Sequence, residues 1–293
     1  MRKSILLGAL SVMISFSAFA FQEMEDVKIE VIPVNDNIYM LVGAGGNIGV
    51  SIGEDGVFMI DDQFAPLSEK ILASIKTLSE KSVKYLVNTH HHGDHTGGNS
   101  NFEKQGTLIF AHENVRRRLK EDEKNTDQSG LPVITFDHKM QLHLNGDDIM
   151  AVHVHNAHTD GDALIYFPKS NVLHTGDTFF NGMFPYIDLK SGGSVAGDLE
   201  AAKTGLMLIN ENTKIIPGHG AMASYADYEN YLKMLEGIHA NVKTAIAEGK
   251  SREQIIADES LTNDFITDAA AEKAFINGPK IRGTYYDSLK SEK

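Results

Sequence analysis

Apolar positions come in short alternating blocks near the start of the chain. Val27–Val34 and Ile38–Val42 read as strands around the turn Asn35-Asp36-Asn37. Ile48–Ile52 and Gly56–Ile60 read as a hairpin turning at Glu54-Asp55-Gly56. The period then lengthens: Leu67, Ile71, Leu72, Ile75 and Leu78 share one helical face. Val83–Val87 with Asn88 reads as a buried strand, Leu108–Phe110 as a short strand and His112–Lys120 as a helix, followed by a charged and polar connection over 121–130. The pattern repeats in the second half. Met140–Leu144 and Ile149–Val154 form a hairpin around Asn145-Gly146, and Ala163–Phe167 and Val172–His174 are joined by Pro168-Lys169-Ser170. Residues 176–197 lack periodicity and read as a long loop, with Asp198 capping a helix over Leu199–Ile209. A short strand, Lys214–Ile216, precedes an amphipathic helix marked by Tyr228, Tyr231, Leu235, Ile238, Val242 and Ile246; beyond 250 the chain reads as helical in pieces. Strands followed by helices, twice over, predict an α/β fold with four αββα layers, in a single domain over 21–293 that carries a C-terminal helical extension from about 250.

One stretch interrupts this pattern with chemistry. Thr89–Gly98 reads THHHGDHTGG, so His90, His92, Asp94 and His95 form H-x-H-x-D-H directly after a strand. In extended chain His90 and His92 share a face, whereas Asp94 and His95 fall in a Gly-flanked turn and can aim elsewhere. The spacing serves one divalent metal or two side by side. Imidazole and carboxylate without thiolate suit zinc, and also iron or manganese. Gly43-Ala44-Gly45-Gly46 is not a phosphate loop, because it lacks the third glycine at the required spacing and no helix follows. Asp61 and Asp62 close the strand before the first helix; either they orient a ligand histidine, Asp62 being the candidate kept, or they are the strand's polar end.

Composition narrows the chemistry. The chain contains no cysteine, which forces any metal site onto His, Asp and Glu. Residues 1–20 carry Arg2 and Lys3, an apolar Ile5–Phe19 and the small-x-small site Ala18-Phe19-Ala20, the pattern of a signal peptide, so a periplasmic or secreted location is expected. No other stretch approaches the ~20 apolar residues of a membrane span, so no stable membrane anchor is expected. Net charge is −13, and −15 once Arg2 and Lys3 are removed, which argues against nucleic acid as a partner.

Three later stretches place a ligand-type residue just past a strand: His158 in AHTDGD, Asp177 in HTGDT and His219 in IIPGHG. Together with the motif, and in this order along about 28–248, they resemble the metallo-β-lactamase-fold superfamily of metallohydrolases, subclass B1 in particular. That resemblance implies an αββα sandwich with a dinuclear site. His90, His92 and His158 would hold one metal, Asp94, His95 and His219 the other, and Asp177 would bridge them or ligate the second. Two zinc ions are implied, with Asp94 both ligating and orienting a hydroxide that attacks a cyclic amide or ester of a small-molecule substrate. The chain departs from the subclass at Asp177, where those enzymes carry Cys, and at Phe180, where they carry a Lys that anchors the drug's carboxylate. Asp at that position is the pattern of lactonase, glyoxalase-II-like thioesterase and phosphodiesterase relatives. An iron-dependent redox enzyme is a further alternative on this fold, although its usual motif replaces the second histidine with Glu. Asn181 and Tyr186, in the loop after Asp177, are candidate substrate hydrogen-bond donors or packing residues.

Overall fold

The fold is given by a computed structural model that describes residues 24–123 and 128–291. The signal-peptide reading of 1–20 and part of the 121–130 connection lie outside those residues. Among the described residues the first sheet contains, in spatial and sequence order, β1 (Glu30–Pro33), β2 (Ile38–Val42), β3 (Ile48–Gly53), β4 (Gly56–Ile60), β5 (Val83–Asn88), β6 (Leu108–His112) and β7 (Ile134–Phe136). Strands β1 to β4 are antiparallel, and β4 to β7 are parallel, linked by helices α1 (Ser68–Lys76), α2 (Gly93–Thr96), α3 (Asn99–Glu103) and α4 (Glu113–Glu121). The second sheet has the order β12-β11-β10-β9-β8, from β8 (Lys139–Leu144), β9 (Asp147–His153), β10 (Ala163–Phe167), β11 (Val172–His174) and β12 (Lys214–Ile216). Helices α5 (Val195–Leu208), α6 (Tyr225–Ala247), α7 (Arg252–Ala257) and α8 (Gly278–Ser291) complete the chain.

Side-chain alternation explains the layers. On β4, Val57 and Met59 point to a core shared with Ile71, Ile75 and Phe102 of α1 and α3. Phe58 and Ile60 point the other way and meet Ile149, Ala163, Ile165 and Phe167 of the second sheet. From β10, Leu164 and Tyr166 face outward onto α5, α6 and α8 through Leu199, Leu235 and Tyr285. Strands β4 and β10 are thus covered on both faces, which is why they read as unbroken apolar runs. Each apolar residue there is buried against one layer or the other, worth about 1.5–3 kcal/mol relative to exposure.

Three expectations need correction. Strand β7 was not foreseen: Ile134 and Thr135 are exposed at the sheet edge and lack a burial pattern. Helix α5 starts earlier than expected, because Ser194 caps it by accepting from Gly197 N at 3.0 Å. Asp198 is therefore not the cap but lies inside the first turn, 1% exposed. The motif's turn is one helical turn, α2, capped by extended His92. No helix among the described residues is long and apolar enough to cross a membrane.

Candidate metal centre

Strands β4 and β5 run parallel, so Asp61 and the motif leave the first sheet at the same edge. The β9–β10 connection with His158, the end of β11 before Asp177 and the end of β12 before His219 share an edge of the second sheet. Backbone bonds join the two edges: Ala163 N donates to Thr89 O at 2.9 Å, and Asn47 N to Gly218 O at 2.8 Å. A bridge between Phe180 and His219 sets the last two loops side by side. The seven predicted ligands thereby converge from four loops.

They fall into two groups. His90, His92, His158 and Asp177 each bring one ligand atom within 4.8 Å of the others, and Asp94, His95 and His219 do the same. Asp177 reaches both groups. Its Oδ1 lies 3.0 Å from His95 Nε2, and its Oδ2 lies 3.4 Å from His219 Nε2, 3.7 Å from His158 Nε2 and 3.8 Å from His90 Nε2. Asp94 Oδ2 is 3.3 Å from His219 Nε2 and 3.7 Å from His95 Nε2. His92 Nδ1 faces His158 Nε2 at 2.9 Å. Buried His90 Nε2 and His95 Nε2 have no hydrogen-bond partner. Nitrogen lone pairs and carboxylates converging in this way, with orphaned ring nitrogens, fit divalent metal.

The opposite ring nitrogens are held from behind. His95 Nδ1 is 2.7 Å from Asp61 Oδ2, His92 Nε2 is 3.1 Å from Asp188 Oδ2, His158 Nδ1 donates to Tyr186 O at 2.5 Å, and His90 Nδ1 is 3.1 Å from Thr89 Oγ1. Such contacts fix which nitrogen is left to ligate. Asp61 fills the supporting role assigned to Asp62. Its φ of 60° turns its carboxylate back over the motif, where it also accepts from Thr89 N and Thr89 Oγ1, each at 2.7 Å. Asp62 instead accepts from Gly98 N at 2.8 Å and steadies the backbone after the motif. Asp188 was missed altogether. The only sequence signal was an acidic residue in a loop at the correct edge, and loop conformation decides which acid reaches a histidine. A third group, His91, His92 and Asp188, shares His92 with the first, and its His92–Asp188 pair is the supporting contact just described.

Charge follows from burial. Burial, reinforced by neighbouring histidines, holds His90 well below the ordinary histidine value; burial also lowers His158, to about 4, against the pull of Asp177. Both are neutral at pH 7 and offer lone pairs. Burial opposes protonation of His219, but hydrogen bonds to Asp177 and Asp94 outweigh it and raise His219 to about 9. Burial also disfavours the Asp177 carboxylate, yet His95 and His90 hold it well below the usual range.

Above the ligands opens a cleft of about 470 Å³. Tyr186 lines it, its ring stacked on His92 at 5.7 Å and 22°. Burial, with the charge of Asp188, raises the Tyr186 hydroxyl, so it remains a donor at neutral pH. Asn181 does not line this cleft: its Nδ2 donates to Ala221 O at 3.0 Å, and its loop turns it to a separate depression beside Met234 and Phe265. Phe180 stacks on His219 at 5.3 Å and 6°.

Residues 41–220 match the family model for the metallo-beta-lactamase superfamily. The chain belongs to this superfamily. It is accordingly a hydrolase of a metal-dependent class, with its His and Asp groups placed to hold divalent metal. A hydroxyacylglutathione hydrolase of Pelagibacter ubique (strain HTCC1062) is 33% identical over 152 residues, 50% of this chain and 56% of that protein, so the match spans little more than half of its length. The metallo-beta-lactamase IND-1 of Chryseobacterium indologenes is 24% identical over 254 residues, 80% of this chain and 99% of that one. Among solved structures, a metallo-beta-lactamase from Pontibacter korlensis superposes with a TM-score of 0.63 at 19% identity, covering 71% of this chain and 99% of its own. The superfamily chain described here has the two-sheet, helix-covered fold of those neighbours.

Proposed function

We propose that this protein is a dinuclear zinc hydrolase that opens an ester or cyclic amide carbonyl outside the cytoplasm. The observation that carries the reading is Asp177, which lies against both ligand groups, with Oδ2 towards His90 and His158 of one and Oδ1 towards His95 of the other. His90, His92 and His158 would hold one ion; Asp94, His95 and His219 would hold the other. Bound zinc supplies Lewis acidity and a nucleophile from water near neutral pH. The residues of the chain do the rest. Asp94, about a quarter exposed at the cleft floor, would help hold the second ion through Oδ2 and orient the nucleophile. The Tyr186 hydroxyl offers a hydrogen bond to the substrate from the cleft wall. The leader read in residues 1–20 supports a periplasmic or secreted enzyme, with Phe21 as the mature N-terminus.

A thioesterase or lactonase reading is favoured by one specific feature. Asp177 supplies a carboxylate where β-lactamases of the resembled subclass have a thiolate, and a hydroxyacylglutathione hydrolase is among the relatives. Metal analysis combined with assays on a chromogenic β-lactam, a lactone, an acyl thioester and a bis-aryl phosphate tests both. Two zinc ions per chain with carbonyl hydrolysis are expected. Turnover of the phosphodiester alone, or none across the panel with metal bound, ends the proposal.

A further inference from the structure

The matched superfamily region ends at residue 220, yet the cleft does not. Ala274, Phe275 and Ile276, from the segment between α7 and α8, form one of its walls. This wall is anchored. Arg282, 1% exposed, donates from Nη1 and Nη2 to the two Asp268 oxygens at 2.8 Å each, from Nη1 to Thr262 Oγ1 at 2.7 Å and from Nε to Ile256 O at 2.9 Å. Lys280 Nζ donates to Phe275 O at 2.6 Å and sits 5.2 Å from the Phe275 ring. The Phe275 ring meets Tyr186 edge-to-face at 5.4 Å, yet 70% of the residue is exposed, although a phenyl group of this size normally seeks burial.

The rest of the cleft has the same character. Phe64, Phe180, Phe184, Tyr186, Phe275 and Ile276 surround the ligand carboxylates and imidazoles, and no Lys or Arg is among the described residues that line it. A substrate carboxylate lodged against these rings would lose its hydration with no cationic side chain to replace it. The chain's net charge of −13 also repels anions at long range.

We infer that the C-terminal segment around Phe275 completes the active-site cleft and selects esters or lactones whose acyl or alkyl portion is uncharged and apolar, a ring or a chain that covers Phe275. This rests on the hydrolase reading above. Hydrolysis breaks the acyl C–O bond, placing the OH of water on the acyl carbon and its H on the leaving oxygen; an ester yields a carboxylic acid and an alcohol, and a lactone yields one hydroxy acid.

The test uses the full chain in two arms. With metal, kcat/KM is compared for an aryl ester of a neutral medium-length acid, the matching acetate, and the matching ester of a dicarboxylic half-acid. The neutral longer ester should exceed the half-acid ester by about tenfold or more. Phe275→Ala should lower kcat/KM for the longer ester about tenfold, mostly through KM, and should lower it for the acetate by a clearly smaller factor. Phe275→Lys should improve the half-acid ester. Without metal, binding of the neutral dye N-phenyl-1-naphthylamine, read by fluorescence, should weaken several-fold in Phe275→Ala. Equal losses on acetate and longer ester, a preference for the half-acid ester, or unchanged dye binding would overturn the inference. No turnover of any substrate, with dye binding still lost in Phe275→Ala, would instead strike the hydrolase reading.

Discussion

Asp61 Oδ2 lies 2.7 Å from Nδ1 of His95, and the same carboxylate clamps Thr89 through its backbone N and its Oγ1. One fully buried acid thus fixes both the start of the motif and its last histidine. Replacing Asp61 with Asn keeps a residue tolerant of a φ of 60° but removes the charge that orients the imidazole. Asp61→Asn should weaken metal binding in the Asp94–His95–His219 group about 10–100-fold. Competition titration against a chelator should show one weakened and one unchanged site. Two unchanged sites would remove Asp61 from this role.

Gly46 is a sharper steric probe. A Cβ there would fall onto the His95 ring, touching Cε1, Nε2 and Nδ1. Gly93, by contrast, lies inside the H-x-H-x-D-H motif yet has nothing within 4 Å of where its Cβ would be. Gly46→Ala should therefore lose metal from one site, and Gly93→Ala should retain full metal content. Metal content per chain, measured on both folded variants, checks the pair; the reverse ranking would contradict the geometry.

Asp198 makes a prediction about pH. It is 1% exposed inside α5, and neither of its oxygens has a hydrogen-bond partner. Burial, with the charges of Asp162 and Asp177, raises its pKa well above the usual carboxylate range. The folded protein then keeps this proton at pH values where the unfolded chain releases it. Stability from this group is intact in acid and declines as pH rises above the ordinary carboxylate range. Asp198→Asn removes the decline. Between pH 5 and pH 8 the metal-loaded variant should gain stability relative to the parent, and it should be the more stable of the two at pH 8. Thermal unfolding at both pH values decides it, and a destabilised variant at pH 8 would show that the carboxylate is ionised and paired.

Asp198 also shows why some of the sequence reading failed. Placing it at a helix start was reasonable for an acid before Leu199, but Ser194 takes the cap, and Val195 N is satisfied by Ser288 Oγ of α8 at 3.0 Å. A partner 93 residues away leaves no local trace. Asn181 and Tyr186 were equal candidates on one loop, yet only Tyr186 faces the cleft, because backbone bonding of Asn181 N to His219 O at 3.0 Å turns the neighbouring side chain away. The choice of Asp61 over Asp62 likewise came from a single backbone angle.

What the sequence determined by itself was the set of layers and the set of candidate ligands. Strand and helix periods are local, and an apolar run such as Gly56–Ile60 can satisfy its side chains only between two covered faces. His90, His92, Asp94 and His95 are fixed in spacing by a strand end and one turn, and His158, Asp177 and His219 each follow a strand that must end at an edge. Tertiary structure alone decided which atoms meet. It set Asp177 between the two ligand groups, Asp188 behind His92, and Phe275 in the cleft wall from far along the chain. Those outcomes depend on loop dihedrals and on packing between distant segments, which no local period encodes.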